Sequence, residues 1–284
     1  MTTTDVPTGT GAAPVERPVL TPPNLLRSSA MVVRRNLIHI KRMPELLLDV
    51  TVQPVMFVLL FAFVFGSSID VPGTNYREFL VPGIMAQTIV FSSFIVAIGL
   101  TTDLDKGIVD RLKSLPVSRT TILVGRSISS LIHSSIGITV MALTGLLIGW
   151  RVRDGVLPAV EAFALLLVFG FAMIWIGIWV GSIMRSVESV NGFMFTVMFP
   201  LTFVANTFTP TSRMPTWLRT VAEWNPVSSL TQSLRELWGN GPEAPSSAAW
   251  PLQHAELVTV VWALLITAVF APLAVAAFRR RSRD

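Results

Sequence analysis

Six stretches of the chain carry no Asp, Glu, Lys or Arg: residues 50–69, 79–102, 127–150, 162–184, 189–212 and 257–278. Together they hold 137 of the 284 residues, so every charge lies in the other 147. A bilayer core about 30 Å thick needs roughly 20 apolar residues of helix to cross it, and each stretch reaches that length. The pattern predicts an all-α polytopic membrane protein. Its six transmembrane helices are expected at about 50–69, 79–102, 120–150, 159–184, 189–210 and 255–278, within a transmembrane domain of residues 47–278.

The segments between the spans have patterns of their own. Over 25–46, Leu26, Ala30, Val33, Leu37 and Ile40 recur at helical spacing, while Arg27, Arg34 and Lys41 form a stripe flanked by Arg35 and Arg42. An apolar face with a basic polar face predicts an amphipathic helix lying along a membrane surface. Residues 103–116 place Leu104, Ile108, Leu112 and Leu115 on one face and Asp103, Lys106, Asp110 and Lys113 on another, with acids early, Lys113 late and Pro116 as the stop. That is a short helix between spans two and three, charged to suit its own dipole. Residues 211–250 hold two half-apolar helical patterns, opened by Pro215 and by Asn225-Pro226, too short and too charged to span. They predict a re-entrant or interfacial helical hairpin on the outer side before the last span.

Charge then orients the chain. With the N-terminus inside, the inner segments hold 16 of the 22 Lys and Arg and a net +7, the outer ones a net −2, which together make the chain's +5. Basic residues concentrate on cytoplasmic loops, so both termini are expected in the cytoplasm of a multi-pass plasma-membrane protein. Trp150, Trp217, Trp224, Trp238 and Trp250 fall at outer positions, where amphipathic rings sit among headgroups. The basic excess faces anionic lipid, so no nucleic-acid partner is expected. Residues 1–24, rich in Thr, Pro and Gly, are expected to be a disordered cytoplasmic tail, and 279–284 a basic one.

Chemistry is conspicuous by what is missing. There is no cysteine, which removes thiolate catalysis, iron–sulfur clusters and disulfides. His39, His133 and His254 lie in different segments without metal or triad spacing, and neither H-E-x-x-H nor G-x-S-x-G occurs, so no catalytic residue and no metal ligand is assigned. The spans lack the intramembrane carboxylates with which ion-coupled transporters bind their coupling ion. No G-x-x-x-x-G-K-[ST] occurs either, so the chain has no phosphate-cradling loop of its own. An uncharged pathway has to use aromatic surface, hydroxyls and amides, and the residues that supply them are Gln87, Thr88 and Ser92 in span two and Asn191, Thr196, Thr202, Phe203 and Asn206 in span five. Such a lining suits hydrophobic small molecules. Each of these side chains also has a simpler use as an interhelical hydrogen-bonding group.

Two runs resemble a known family. The first is Lys106-Gly107-Ile108-Val109-Asp110-Arg111-Leu112-Lys113-Ser114-Leu115-Pro116-Val117-Ser118-Arg119, followed by Gly125-Arg126. The second is Phe199-Pro200-Leu201-Thr202-Phe203, then Phe208, Pro210, Met214-Pro215-Thr216-Trp217-Leu218-Arg219, Ala222-Glu223-Trp224-Asn225-Pro226-Val227 and Arg235-Glu236-Leu237. Together they resemble ABC-2 type exporter permeases, in particular the branch of the daunorubicin and doxorubicin resistance exporters. The resemblance implies a transport permease rather than an enzyme, two copies of a cytosolic ATPase that bind ATP and Mg, a second copy of the permease, and a hydrophobic drug or natural product as substrate, for instance an anthracycline. It makes 103–116 the coupling helix, with Lys106, Gly107, Ile108, Asp110, Arg111, Leu112, Lys113 and Pro116 as ATPase-coupling residues, and 25–46 the connecting helix beside it. Export of a lipid-linked or polysaccharide substrate and a non-transporting scaffold for a cytosolic partner remain as alternatives.

Overall fold

The computed structural model describes residues 48–66, 69, 71, 73–107 and 119–281. The 1–24 tail, the 25–46 helix with Arg27, Arg34, Arg35, Lys41 and Arg42, and the coupling positions Ile108, Asp110, Arg111, Leu112, Lys113 and Pro116 lie outside the described residues. Regular structure among the described residues is helical. Helix α1 (Leu48–Leu60) runs on into a π-helical turn, Phe61–Phe65. It is followed by α2 (Tyr76–Asp105), α3 (Arg119–Leu147), α4 (Val156–Ile183) and α5 (Val187–Phe203). Then come α6 (Thr216–Glu223), α7 (Pro226–Trp238), the four-residue α8 (Trp250–Gln253) and α9 (Ala255–Arg281).

Four of these are long and apolar enough to cross a membrane: α2, residues Leu123–Leu147 of α3, α4 and α9. The two other expected spans fall on shorter helices, α1 with its apolar Pro54–Phe65 stretch and the 17-residue α5. Helix α5 stops where its chain is needed elsewhere. After Phe203 the backbone N–H of Asn206 donates to Ser228 Oγ (3.0 Å), and the carbonyls of Asn206 and Thr207 turn toward Arg235.

Polar residues set the helix starts. Asn75 accepts from the Arg77 N–H (3.0 Å) to cap α2, Ser186 accepts from Ser189 N–H (3.2 Å) to cap α5, and Asn225 accepts from Val227 N–H (2.9 Å) ahead of Pro226 in α7. Each side-chain oxygen satisfies a backbone donor that the first helical turn leaves without a partner. Helix α7 ends on Gly239, whose φ of +66° is the left-handed conformation that closes a helix and that glycine adopts freely.

Helices α2 and α4 are mostly buried, whereas α3 and α9 are less so, with α9 the most open of the four. The α2–α4 contact is set by backbone approach: a Cβ on Gly177 would lie 2.2 Å from the Ser93 carbonyl oxygen, and one on Gly181 would lie 2.7 Å from that of Ala97. Gly177 and Gly181 are four apart on one face of α4, the small-x-x-x-small spacing that lets membrane helices pack through their backbones. Of the hydroxyls at this contact, Ser182 turns back to the Ile178 carbonyl of its own helix, while Thr101 of α2 donates across to the Gly181 carbonyl (3.1 Å).

The bundle has two distinct ends. At one, the hairpin end, α7 packs among α2, α4 and α9. There Trp150 Nε1 donates to Asn240 Oδ1 (2.6 Å), Asn240 Nδ2 donates to the Arg151 carbonyl (2.6 Å), and the Trp150 and Trp238 rings meet edge to face. Helix α6 is held beside it by the buried Glu223, which accepts from Arg219 Nε (2.6 Å), Thr211 Oγ1 (3.2 Å) and the Ala249 N–H (2.8 Å). At the other end, the base, the last turns of α2, α4 and α9 meet the first turns of α3.

Replacing Gly177 by Val is expected to force the α2–α4 contact open and to cost about 1–3 kcal/mol, the usual price of overpacking. Gly192→Ala, at an exposed α5 position with nothing within 4 Å of a new Cβ, is expected to be neutral or slightly stabilising. Thermal unfolding in detergent, followed by loss of the monodisperse peak, compares the two.

Candidate functional site

A cleft of about 300 Å³ lies between α1, α2 and α5. Its walls are Pro54 and Phe57 of α1, Phe195 of α5 and one stripe of α2: Ile84, Gln87, Thr88, Phe91, Phe94, Ile95 and Ile98. Seven α2 residues share that wall because they recur at three- and four-residue intervals, one face of a helix. None of the lining residues carries a charge. Thr88 donates its hydroxyl to the Ile84 carbonyl (2.8 Å) and keeps its lone pairs free to accept. Gln87 is only 7% exposed, and its amide has no hydrogen bond to another described residue. The amide faces the cleft, where a polar group entering it can hydrogen-bond to it. The cleft volume is at the lower edge of the range for small-molecule sites, and the mixture of aromatic walls and few polar groups is typical of them.

Above the cleft, the hairpin end is closed by Arg235 of α7, which is 1% exposed. Its Nε donates to the Phe79 carbonyl (3.0 Å), one terminal nitrogen donates to the carbonyls of Asn206 (2.9 Å) and Thr207 (3.1 Å), and the guanidinium carbon lies 3.4 Å from the centre of the Phe79 ring. Tyr76 adds a hydrogen bond from its hydroxyl to the Phe208 carbonyl (3.2 Å). The guanidinium thus joins the start of α2 to the segment after α5 through α7. A Cβ on Gly83 would sit 2.4 Å from the Thr207 carbonyl oxygen, so α2 and that segment touch backbone to backbone.

The sequence matches the ABC-2 type transporter family over residues 29–237. It is 31% identical over 248 residues to the daunorubicin resistance ABC transporter permease protein DrrB1 of Streptomyces coeruleorubidus, covering 87% of this chain and 84% of that one. The chain belongs to the ABC-2 type transporter family. It is 26% identical to the putative transport permease ycf38 of Cyanophora paradoxa, across 84% of this chain and 83% of the relative. With the probable doxorubicin resistance ABC transporter permease protein DrrC of Mycobacterium tuberculosis strain H37Rv the identity is 25%, over 67% of this chain and 69% of the other. The protein is therefore a multi-pass membrane permease of an ABC transporter, a subunit that moves cargo and is not itself catalytic.

In this ABC-2 permease the residues singled out from the sequence go to different places. Gln87 and Thr88 line the cleft together. Ser92 is buried and donates to the Ile89 carbonyl (2.7 Å), and Thr202 is buried and donates to that of Met198 (2.9 Å). Asn191 and Thr196 are exposed along α5, with Thr196 donating to the Gly192 carbonyl (2.8 Å). Phe203 stacks on Phe199 at 4.0 Å and lies 5.0 Å from the Phe208 ring, and Asn206 belongs to the Arg235 closure. Lys106 and Gly107 directly follow the last turn of α2 at the base. The aromatic walls Phe57, Phe91, Phe94 and Phe195 carried no distinguishing mark in the sequence, because apolar residues occur on every face of a buried span. A signal was present in Gln87, an amide in the middle of the apolar 84–98 stripe.

The base is tied by ion pairs. Arg126 of α3 pairs with Asp103 in the last turn of α2, and Arg281 at the end of α9 pairs with Asp105 (3.1 Å). Arg281 also donates to the carbonyls of Gly181 (3.2 Å) and Met184, at the end of α4. A cation suits that position, since the last carbonyls of a helix lack backbone partners and carry its negative pole.

At the hairpin end one carboxyl is displaced from its usual behaviour. Burial, assisted by Glu256 and Glu243 nearby, raises the pKa of Glu236, against the opposing effect of the Gln232 amide, which donates to it at 2.8 Å, and of the Ala244 N–H. A carboxyl held above its unfolded value contributes stability at acid pH, and that contribution is lost as pH rises through the raised value. Glu236→Gln is expected to flatten this part of the stability profile and to leave the protein more stable than the parent above it. Thermal unfolding in detergent across the carboxylate range and up to neutral pH measures both effects.

Proposed function

We propose that the protein is the membrane subunit of an exporter that moves a hydrophobic drug or natural product out of the cell, with the charge-free cleft at Gln87 and Thr88 as the substrate pathway. The observation that carries this reading is the Gln87 amide, which has no hydrogen bond to another described residue, in an aromatic cleft of about 300 Å³ within an ABC-2 permease. Cargo that already partitions into lipid needs stacking surface and one or two hydrogen bonds rather than a counter-ion. Relatives bearing the names of daunorubicin and doxorubicin resistance permeases point to the same class of cargo.

Energy comes from elsewhere in this reading, because the chain has no phosphate-binding loop. Two cytosolic ATPase subunits bind ATP and Mg and dock on 103–116 from a pair of permeases, with Lys106, Asp110, Arg111 and Lys113 as polar contacts, and Ile108, Leu112 and Leu115 facing the permease. The 25–46 helix lies beside them on the inner leaflet. Both termini are cytoplasmic, as the +7 inner charge favours. Helices α1 and α5 complete a six-span bundle, and α6 and α7 form the outer hairpin, with Trp217 and Trp224 of α6 and its flank exposed for the headgroup layer.

ATP-dependent uptake of an anthracycline into inverted vesicles containing the permease and its ATPase tests this directly. Gln87→Leu is expected to raise the half-saturating anthracycline concentration about fivefold, the loss of one hydrogen bond of about 1 kcal/mol. Reversing Asp110 and Arg111 together is expected to abolish uptake while ATP hydrolysis and membrane insertion persist. Uptake unaffected by either change counts against the assignment.

A further inference from the structure

The ion pairs at the base have a pattern that the permease reading does not require. Asp103–Arg126 joins the end of α2 to the start of α3, so the two helices that enter and leave the 107–119 connection are bound to each other. Asp105–Arg281 joins the same turn of α2 to α9, and Arg281 carries the link to α4 through the Gly181 and Met184 carbonyls. The Gly181 carbonyl also accepts from Thr101 Oγ1 of α2 (3.1 Å), so three helices converge on one oxygen. Gly99 leaves the space that the Arg126 guanidinium occupies, since a Cβ there would lie 2.5 Å from its terminal nitrogen.

None of these bonds reaches α1 or α5. Helix α5 leaves the end of α4 just after Met184, through Arg185 and the extended Ser186. The cleft lies along the boundary so defined, with α2 on one side and α1 and α5 on the other. The backbone contacts of Gly177 with Ser93 and of Gly181 with Ala97 fall inside the clasped set, whereas that of Gly83 with Thr207 joins α2 to the segment after α5 at the hairpin end, so the seam is tied there and free at the base.

We propose that Asp103, Asp105, Arg126 and Arg281 are positioning residues that bind α2, α3, α4 and α9 into one rigid block, and that the substrate cleft is the seam along which this block moves against α1 and α5. A displacement delivered at 107–119 then reaches four helices as one body and changes the width of the cleft, where an unclasped base would dissipate it in the two helices flanking the connection. Packed helices move in this way, by small shear between bodies that keep their own packing. The proposal rests on the permease reading for the source of the displacement, and on the described contacts for the division into bodies.

The chain has no cysteine, so spin labels can be placed without removing any native residue. Ile128→Cys with Ala276→Cys reports within the block, from α3 to α9, and Ala276→Cys with Val197→Cys reports across the seam. All three positions are exposed. Labelled chain is diluted with unlabelled chain in nanodiscs, and distances are read by double electron–electron resonance.

Without nucleotide, the 128–276 distance distribution is expected to be narrow in the parent. It should broaden when Asp103→Asn and Asp105→Asn are combined, and it should broaden in Asp103→Arg alone but narrow again in Asp103→Arg with Arg126→Asp. An unchanged width in the neutralised variant, or an exchanged pair as broad as Asp103→Arg alone, overturns the clasp. With the cytosolic ATPase and ATP–vanadate, the 276–197 distance is expected to shift while the 128–276 distance does not, and neutralisation should remove that shift while hydrolysis continues. Equal movement of both pairs overturns the division into block and seam. Movement of neither pair in the parent overturns the ATPase-driven permease reading, and the nucleotide-free widths then decide the clasp by themselves.

Discussion

A single buried guanidinium closes the hairpin end of this permease. Arg235 has three backbone carbonyls and one aromatic face as its partners, drawn from two separated parts of the chain, Phe79 and Asn206-Thr207. Hydrogen bonds from a charged donor contribute roughly 1.5–3 kcal/mol each, and a desolvated cation over a ring about 2 kcal/mol, so the closure is strong only while all of its partners stay in place. That requirement explains several local features. Helix α5 must stop at Phe203 to release the Asn206 and Thr207 carbonyls, α2 must carry glycine at position 83 to let that segment approach, and α7 must be buried along most of its length.

The protein confines charge to its two ends and keeps it out of the cleft. At the base, arginines meet carboxylates and helix-terminal carbonyls; at the hairpin end, Arg235 meets carbonyls, and Glu223 meets Arg219 and two other donors. Between them the cleft offers aromatic rings, aliphatic side chains, a hydroxyl and an amide. A charge placed there would carry a desolvation cost that only a counter-ion could offset.

Much of this organisation was legible in the amino-acid order. Four of the six long apolar runs correspond to helices long enough to span, since hydrophobic length is a one-dimensional property, and Asn225 marked the start of α7 through chemistry local to its own turn. Asn225-Pro226 announced α7, and Gln87 and Thr88 stood out as polar groups in an apolar stripe. The roles of Thr202 and Asn206 were not readable in the same way. Both looked like pathway groups, yet one returns its hydroxyl to its own helix and the other surrenders its carbonyl to Arg235, outcomes that depend on which way a turn of helix faces.

By itself the sequence determined that the protein is a helical membrane protein with the motifs of an ABC-2 permease, and that its charges lie outside six apolar runs, because these follow from composition, period and short motifs. Only the tertiary structure decided which apolar face of α2 lines a cleft and which packs on α4. It alone brought Arg281 to Asp105, 176 residues away in the chain. The physical reason is the same in both cases. Every face of a membrane helix is apolar, so hydrophobicity does not distinguish a neighbouring helix from lipid or cargo, and the choice falls to close backbone packing at glycine and to a few long-range polar contacts.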